Sequence, residues 1–277
     1  MSMSDSRWSH FEQFFYQRSW QPFDFQKNVW QAMHQGVSGL LYAPTGMGKT
    51  LAVWLGALAR LEMKSNTDGL QIIWLTPLRA LSEDTLTALS EPLDELMPQL
   101  SVQIRTGDTS SYAKQKQEKH PPGALITTPE SLTLLLTRPK SRQTFRTLQV
   151  VVVDEWHELL GSKRGVQAEL ALARLRTFAP QVITWGLSAT LGNLEEAMFH
   201  LLGTTRDDKP LSGRLVQGIV PKEIVIDSLL PLSTERFPWA GHLGLKMLPL
   251  VLKELEQIKT ALVFTNTRAQ CELWHRA

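Results

Sequence analysis

Two short clusters carry residue types that together suit phosphate chemistry. One is Lys49-Thr50, preceded by Gly46 and Gly48; the other is Asp154-Glu155, which ends a run of four valines. Glycines let backbone N–H groups close around phosphate oxygens, and a helix opening at Lys49 adds its partial positive charge. Lys49 is then the ammonium for the β- and γ-phosphates, Thr50 a hydroxyl ligand for Mg²⁺, and Thr45 and Met47 complete the loop. Asp154 would hold the same Mg²⁺ through water, and Glu155 would orient and deprotonate an attacking water. Each cluster has a plainer reading by itself, a turn with an incidental lysine or an aspartate that caps a helix. The pair predicts a nucleoside triphosphate site. Ala43 stands where the strict phosphate-loop pattern has glycine, a variant with the same mechanics.

The elements that must position these residues share one construction. The apolar run Leu40 to Tyr42 breaks into the glycine loop, and a helix-compatible segment follows Thr50. Gln71 to Leu75 ends in Thr76-Pro77, and Ala124 to Thr127 ends in Thr128-Pro129; each predicts a strand, a threonine N-cap and a proline in the first helical position. Val150 to Val153 ends in Asp154-Glu155, and Val182 to Leu187 ends in Ser188-Ala189-Thr190. Apolar runs without alternation predict strands buried on both faces. Strands alternating with helices predict an α/β fold, a parallel sheet with helices on both faces. In such sheets ligands sit at the carboxyl ends of the strands, where every polar cluster named so far falls.

The 277 residues and mixed composition fit one or two globular domains. A formal net charge of +2 makes no electrostatic claim about partners, so nucleic-acid binding has to be argued from sites. The single cysteine, Cys271, excludes an intrachain disulfide, and no apolar run approaches the roughly 20 residues that span a bilayer. The opening MSMSDSRWSH has neither the basic nor the apolar segment of a secretory leader, so the cytoplasm is the expected compartment. Nine aromatic residues crowd the first thirty positions, at irregular spacing that predicts a helix packed on a core rather than a base-stacking platform. Gln26, at the start of a helix that Gly36 ends, is either a surface glutamine or an adenine reader, because an amide offers a base edge both donor and acceptor. The polar stretch 204–217 reads as a linker between a first domain, 1–203, and a second α/β domain that begins in 218–277. That second part predicts strands at Lys222–Ile226 and Thr260–Phe264 and a helix at His242–Gln257.

Eight segments carry a family resemblance: PFDFQ (22–26), APTGMGKT (43–50), TPLRAL (76–81), RTGD (105–108), TPESL (128–132), DEWH (154–157), SAT (188–190) and LVFTNTR (262–268). Their order resembles that of the superfamily 2 helicases. The wording between them is similar to the ligase-associated DEXH-box DNA helicases, relatives of the Lhr-type enzymes. The resemblance implies two RecA-like domains with ATP and Mg²⁺ in the cleft between them, and single-stranded or tailed duplex DNA as track. It further implies 3′ to 5′ translocation and a repair role beside a DNA ligase and a nuclease.

By the same resemblance Gln26 reads adenine, and His157 with Ser188, Ala189 and Thr190 couples hydrolysis to movement. Thr76, Pro77, Arg79, Thr106, Gly107, Asp108, Thr128, Pro129, Asn266 and Arg268 line the nucleic-acid track. Threonine hydroxyls and helix N-termini suit phosphate oxygens without reading sequence. Asp108 and Glu130 suit neighbouring donors or sugar better than phosphate. Lys163-Arg164 reads either as a nucleic-acid contact or as a solvated loop. The later motifs of the second lobe, with their arginines, lie outside these 277 residues, so the expectation is a half-motor with little turnover. Two other readings share these motifs, a nucleotide- and nucleic-acid-binding module without turnover and an RNA helicase.

Overall fold

The computed structural model describes residues 6–62, 68–205, 207–218, 225–230 and 244–276. They form two units, Met1–Val220 and Pro221–Ala277. In chain order the first unit contains α1 (Ser9–Gln17), α2 (Asp24–His34), β1 (Gly39–Tyr42), α3 (Lys49–Glu62), β2 (Ile72–Leu75), α4 (Ser82–Ser90), α5 (Leu93–Leu96), β3 (Val102–Arg105), α6 (Ser111–Lys119) and β4 (Ala124–Thr127). It continues with α7 (Pro129–Leu136), α8 (Ser141–Phe145), β5 (Val150–Val153), α9 (Trp156–Leu159), α10 (Lys163–Phe178), β6 (Ile183–Ser188), α11 (Leu194–Leu202) and β7 (Arg214–Gln217).

The strands make one parallel sheet in the order β3-β4-β2-β5-β6-β1-β7. Successive side chains of a strand point to opposite faces, and here both faces are apolar. Leu41, Ile72, Trp74, Val150 and Val152 join one layer with Phe11, Trp30, Met33, Trp54 and Leu58 of α1 to α3. Leu40, Ile73, Leu75, Val151 and Val153 join the other, with Leu132, Trp156, Leu172 and Leu201 from the helices after β4. Burial on both faces is why these strands read as unbroken apolar runs. The N-terminal aromatics serve the first layer: Trp8, Phe11, Phe14, Phe15 and Trp30 are buried, while Tyr16, Trp20 and Phe23 remain exposed.

The first unit differs from the sequence reading in three places. Residues 204–217, expected as a linker, end in β7, which pairs with β1 from Gly39↔Arg214 to Tyr42↔Gln217. Leu215 packs on the second layer and Val216 on the first, and the open backbone edge of β1 gains partners, so both apolar burial and hydrogen bonding draw this stretch onto the sheet. Thr76-Pro77 does not start a helix. The Thr76 hydroxyl donates to Leu78 O at 3.3 Å, which forms a turn, and helical backbone begins only at Arg79. Lys163-Arg164 is not a loop either: it opens α10, capped by Ser162 Oγ, which accepts from Gly165 N at 3.1 Å.

Close approach of β7 explains Gly39. A Cβ there would sit 2.3 Å from Arg214 O and 2.8 Å from the Trp185 ring. Gly39→Ala is expected to lower stability by about 1–3 kcal/mol, as overpacking does, visible as a lower urea midpoint with an unchanged m-value.

In the second unit the described elements are α12 (Leu248–Leu255) and α13 (Arg268–Arg276), with a short 3₁₀ turn, Leu245–Met247, before α12. The helix expected at 242–257 is thus shorter, and residues 242–243 lie outside the described residues. Thr260–Phe264, expected as a strand, has no strand partner among the described residues; Leu262 and Phe264 are exposed. The strand expected at 222–226 lies outside the described residues up to 224, and Val225 and Ile226 are in no strand.

Candidate nucleotide site and nucleic-acid track

Sheet order sorts the motif residues along one edge. The carboxyl ends of β1, β6 and β5 carry the glycine loop, Ser188-Ala189-Thr190 and Asp154-Glu155; those of β2, β4 and β3 carry Thr76-Pro77, Thr128-Pro129 and Thr106-Gly107-Asp108. The residues expected to hold nucleotide therefore occupy one half of the edge and those expected to line the track the other, with the seam between β5 and β2.

On the nucleotide half, Gly46 and Gly48 have φ of 81° and 74°, backbone that side chains rarely adopt. A Cβ on Gly46 would meet nothing within 4 Å, so the loop presents open backbone there, while Met47 is buried beneath. Lys49 starts α3 and is only 7 % exposed; its Nζ donates to Pro44 O at 3.2 Å. Burial lowers the Lys49 pKa, against the charges of Glu155 and Asp154, which raise it.

Gln26 is 1 % exposed, not a surface residue. Its Oε1 accepts from Phe23 N at 2.9 Å and its Nε2 donates to Gly48 O at 3.1 Å, so it ties the start of α2 to the glycine loop. One acceptor site and one donor of the amide remain after these bonds, the pair that an adenine edge would use.

Asp154 accepts at both oxygens, from Glu155 N at 2.9 Å and from Trp74 Nε1 at 3.2 Å. The second bond crosses the seam from β2. Burial, then the Glu155 charge, push the Asp154 pKa up to about 6, against those two hydrogen bonds and Lys49. Glu155 has a left-handed backbone (φ 43°), and its Oε2 is buried without a hydrogen bond, 3.4 Å from His157 Nδ1. That nitrogen also lies 3.1 Å from Ser188 Oγ, so His157 joins the acidic pair to the Ser188 triplet. Ala189 and Thr190 follow Ser188 off the strand, and Thr190 O lies 3.5 Å from the Ser188 hydroxyl.

These residues fit Mg²⁺ and a triphosphate. Gly46 leaves open backbone on the loop, Asp154 has lone pairs left on both oxygens, and Glu155 Oε2 is a buried acceptor without a hydrogen bond. Thr50, in the first turn of α3, would supply the hydroxyl for the metal.

On the track half, Thr76 and Thr128 are buried. Thr128 caps α7 by accepting from Ser131 N at 3.5 Å, with Pro129 in the first turn, as the sequence predicts. Thr106 Oγ1 accepts from Asp108 N at 3.3 Å. Arg79 is exposed and lies 3.3 Å from Asp108 Oδ1, and a Cβ on Gly107 would come within 2.9 Å of its guanidinium. Glu130 pairs with Arg164, whose Nη2 donates to Oε2 at 3.2 Å. Burial alone would raise the Glu130 pKa; hydrogen bonds from Arg164, its own backbone N–H and Thr128 hold it at about 2. Both carboxylates thus hold neighbouring donors. Asn266 and Arg268 belong to the second unit, where Arg268 begins α13 and Asn266 N donates to Gln270 Oε1 at 3.1 Å.

Two contributors give little sign of themselves in the sequence. Trp74 is one apolar residue among the four of β2; the only signal is that a buried indole N–H needs an acceptor. Arg164 is legible as a charge but its partner is not.

A parallel sheet with a phosphate loop after β1 and an acidic pair after β5, one strand removed from it across β6, defines the RecA-like class of nucleotide-binding domains. The chain belongs to the DEAD/DEAH box helicase family, whose model matches residues 23–197. It is 38% identical over 256 residues to the ATP-dependent helicase Lhr-Core protein 2 of Thermococcus barophilus, an alignment covering 87% of this chain and 29% of that one. The Lhr helicase/uracil glycosylase of Escherichia coli is 33% identical over 283 residues, covering 91% of this chain and 18% of that one. Among solved structures, Mycobacterium smegmatis helicase Lhr bound to ssDNA and AMP-PNP superposes with a TM-score of 0.76 at 29% identity, covering 98% of this chain and 35% of that one. The chain thus spans about a third or less of the length of these relatives.

Proposed function

We propose that this chain is the nucleotide-binding motor lobe of an ATP-dependent helicase that moves on single-stranded or tailed duplex DNA. The observation that carries the reading is that the glycine loop, Ser188-Ala189-Thr190 and Asp154-Glu155 share one half of a sheet edge and the Thr76, Thr106 and Thr128 turns the other, joined at the seam by Trp74 and Asp154. The DNA assignment draws on the Lhr relative whose structure holds ssDNA and AMP-PNP. A repair role beside a DNA ligase and a nuclease, 3′ to 5′ movement and a cytoplasmic setting belong to the same proposal and rest on the family resemblance. Among the described residues no helix is long and apolar enough to cross a membrane.

In this reading the glycine-loop N–H groups and Lys49 hold the β- and γ-phosphates, and Gln26 reads adenine while bracing Gly48. Thr50 and Asp154 hold Mg²⁺, which supplies positive charge against the phosphate oxygens. Glu155 orients the attacking water and takes its proton at Oε2. His157 carries the change at Glu155 to Ser188, the start of the triplet that couples hydrolysis to movement. Arg79 is the exposed group that grips the strand by its phosphates; Thr76, Thr106 and Thr128, expected to do the same, are buried with their hydroxyls bonded internally and instead hold, with Pro77, Gly107 and Pro129, the turns that present it. Asn266 and Arg268 extend the track. The two chemistries would then meet at the seam between the adjacent strands β5 and β2, about 4.8 Å apart.

The test is binding of a fluorescent ATP analogue and of labelled DNA and RNA of one sequence to the 277-residue chain, each with and without the other. Mg²⁺-dependent nucleotide binding is expected, DNA is expected to bind more tightly than RNA, and each ligand should shift the other's affinity by the same factor. Turnover by this chain alone is expected to be slow. Absence of Mg²⁺-dependent nucleotide binding would sink the motor-lobe reading, and a preference for RNA would move the track from DNA to RNA.

A further inference from the structure

Beside Thr106 and Gly107, which form part of its wall, lies a basic cavity of about 110 Å³ whose three cations have no motif role. Arg105, Lys114 and Arg138 line it together with the hydroxyl residues Thr106 and Ser131, and no acidic residue does. Arg105 ends β3 and is 4 % exposed. Its Nη1 donates to Lys114 O at 3.0 Å and its Nη2 to Glu118 Oε1 at 2.9 Å. Arg138, which follows α7, donates to that same Glu118 oxygen. Lys114 Nζ donates to Gly107 O at 3.2 Å. Two guanidiniums therefore share a single oxygen of one carboxylate, and Lys114 adds a third cation to the lining. Burial lowers the pKa of both arginines, and the Arg105 charge lowers that of Arg138 further.

A cluster that served only to fasten α6 to α7 would be more stable with matched charge. This one keeps surplus positive charge around a space of phosphate size, continuous with the end of β3. We propose that the cavity takes one backbone phosphate of the nucleic-acid strand, beside the Thr106-Gly107 turn. Arg105 is fixed by its buried bonds and sets the local field. Arg138, with a side chain 42% exposed, is the group free to turn from Glu118 to the phosphate. Ser131 and Lys114 complete the donor set. Such an interaction positions the strand and carries no sequence preference. The inference rests on the nucleic-acid reading given above.

The experiment measures binding of labelled oligo(dT) to the full chain over a salt series. Arg138→Gln is expected to weaken binding about 3- to 10-fold and to flatten the slope of log affinity against log salt by about 0.7, the value for one fewer neutralised phosphate on a single strand. Glu118→Gln removes the competitor for Arg138 and is expected to tighten binding. Arg142→Gln, an exposed charge on α8 outside the cavity, is the control and should leave both quantities at the parent values. Equal effects of Arg138→Gln and Arg142→Gln would reduce the cavity to general surface charge and overturn the proposal. Unchanged binding in Arg138→Gln and Glu118→Gln, with Arg79→Ala still weakened, would overturn it while leaving the track reading in place. Failure of the parent chain to bind oligo(dT) would overturn both.

Discussion

A Lys49→Ala chain is expected to bind ATP about 30- to several thousand-fold more weakly than the parent, as judged by titration of a fluorescent analogue. The magnitude follows from removing one partner of a buried, hydrogen-bonded charge pair, which costs about 2–5 kcal/mol. Lys49 is buried, and its ammonium is already desolvated in the free protein, so little of that cost is recovered from water. In the free protein its one acceptor among the described residues is Pro44 O, a bond that phosphate oxygens would replace. Lys49→Arg is not expected to rescue, because a planar guanidinium cannot take the place of a compact ammonium in a closed loop. Glu155→Gln should leave nucleotide affinity near the parent value while any turnover falls to background. If Lys49→Ala binds ATP like the parent, the phosphate-loop assignment is wrong.

The second large effect concerns Asp154. Asp154→Asn is expected to remove the Mg²⁺-dependent part of nucleotide affinity, and the metal-free protein adds a pH signature that tests the same residue independently. The carboxyl rises from an ordinary value of 3.8 to about 6 on folding. Between those two values the folded chain binds more protons than the unfolded one, so stability falls as pH rises through this window. The Asp154 contribution is neutral below about pH 4 and unfavourable above pH 6, by up to about 3 kcal/mol at 1.36 kcal/mol per unit. Urea midpoints measured without Mg²⁺ from pH 4 to 7 should fall more steeply in the parent than in Asp154→Asn. Asparagine has a single side-chain acceptor, so it leaves either Trp74 Nε1 or Glu155 N unpaired, and the comparison must use slopes rather than absolute stability. Adding Mg²⁺ and nucleotide should cancel the parent's slope. Equal slopes in the two proteins would show that Asp154 is not the strained acid at this edge.

What is legible in the sequence is whatever a residue must do by its own chemistry. Gly46 and Gly48 with Lys49 announce a phosphate cradle, and four successive valines before Asp154 can only be a strand covered on both faces. β4 and β5 are readable to the residue for that reason. β3 gives no such signal, because VQIR at a sheet edge is only partly buried and has no apolar run. β7 hides in a polar stretch because an edge strand needs just Leu215 and Val216 to satisfy the two layers. The Thr-Pro pairs look alike, yet only Thr128 caps a helix; Thr76 spends its hydroxyl on Leu78 O. Long-range partners are out of reach: Gln26 beneath Gly48, Trp74 on Asp154 and Arg164 on Glu130 are each set by the packing of distant segments.

The placement of β7 bears on the order in which the molecule can assemble. β1 ends at Tyr42, but its neighbours in the sheet are β6, near residue 185, and β7, at Arg214–Gln217. β2, β4, β3 and β5 find one another within residues 72–153. Pairings between distant segments carry a larger loop-closure cost and form later, and a chain emerging from the ribosome meets its early segments first. The strand feeding the glycine loop must therefore wait, unpaired, until β6 has been synthesised, and its second edge until β7 follows. Nucleotide can stabilise this lobe only late in its folding, when the segments of the other half of the sheet are already available to close.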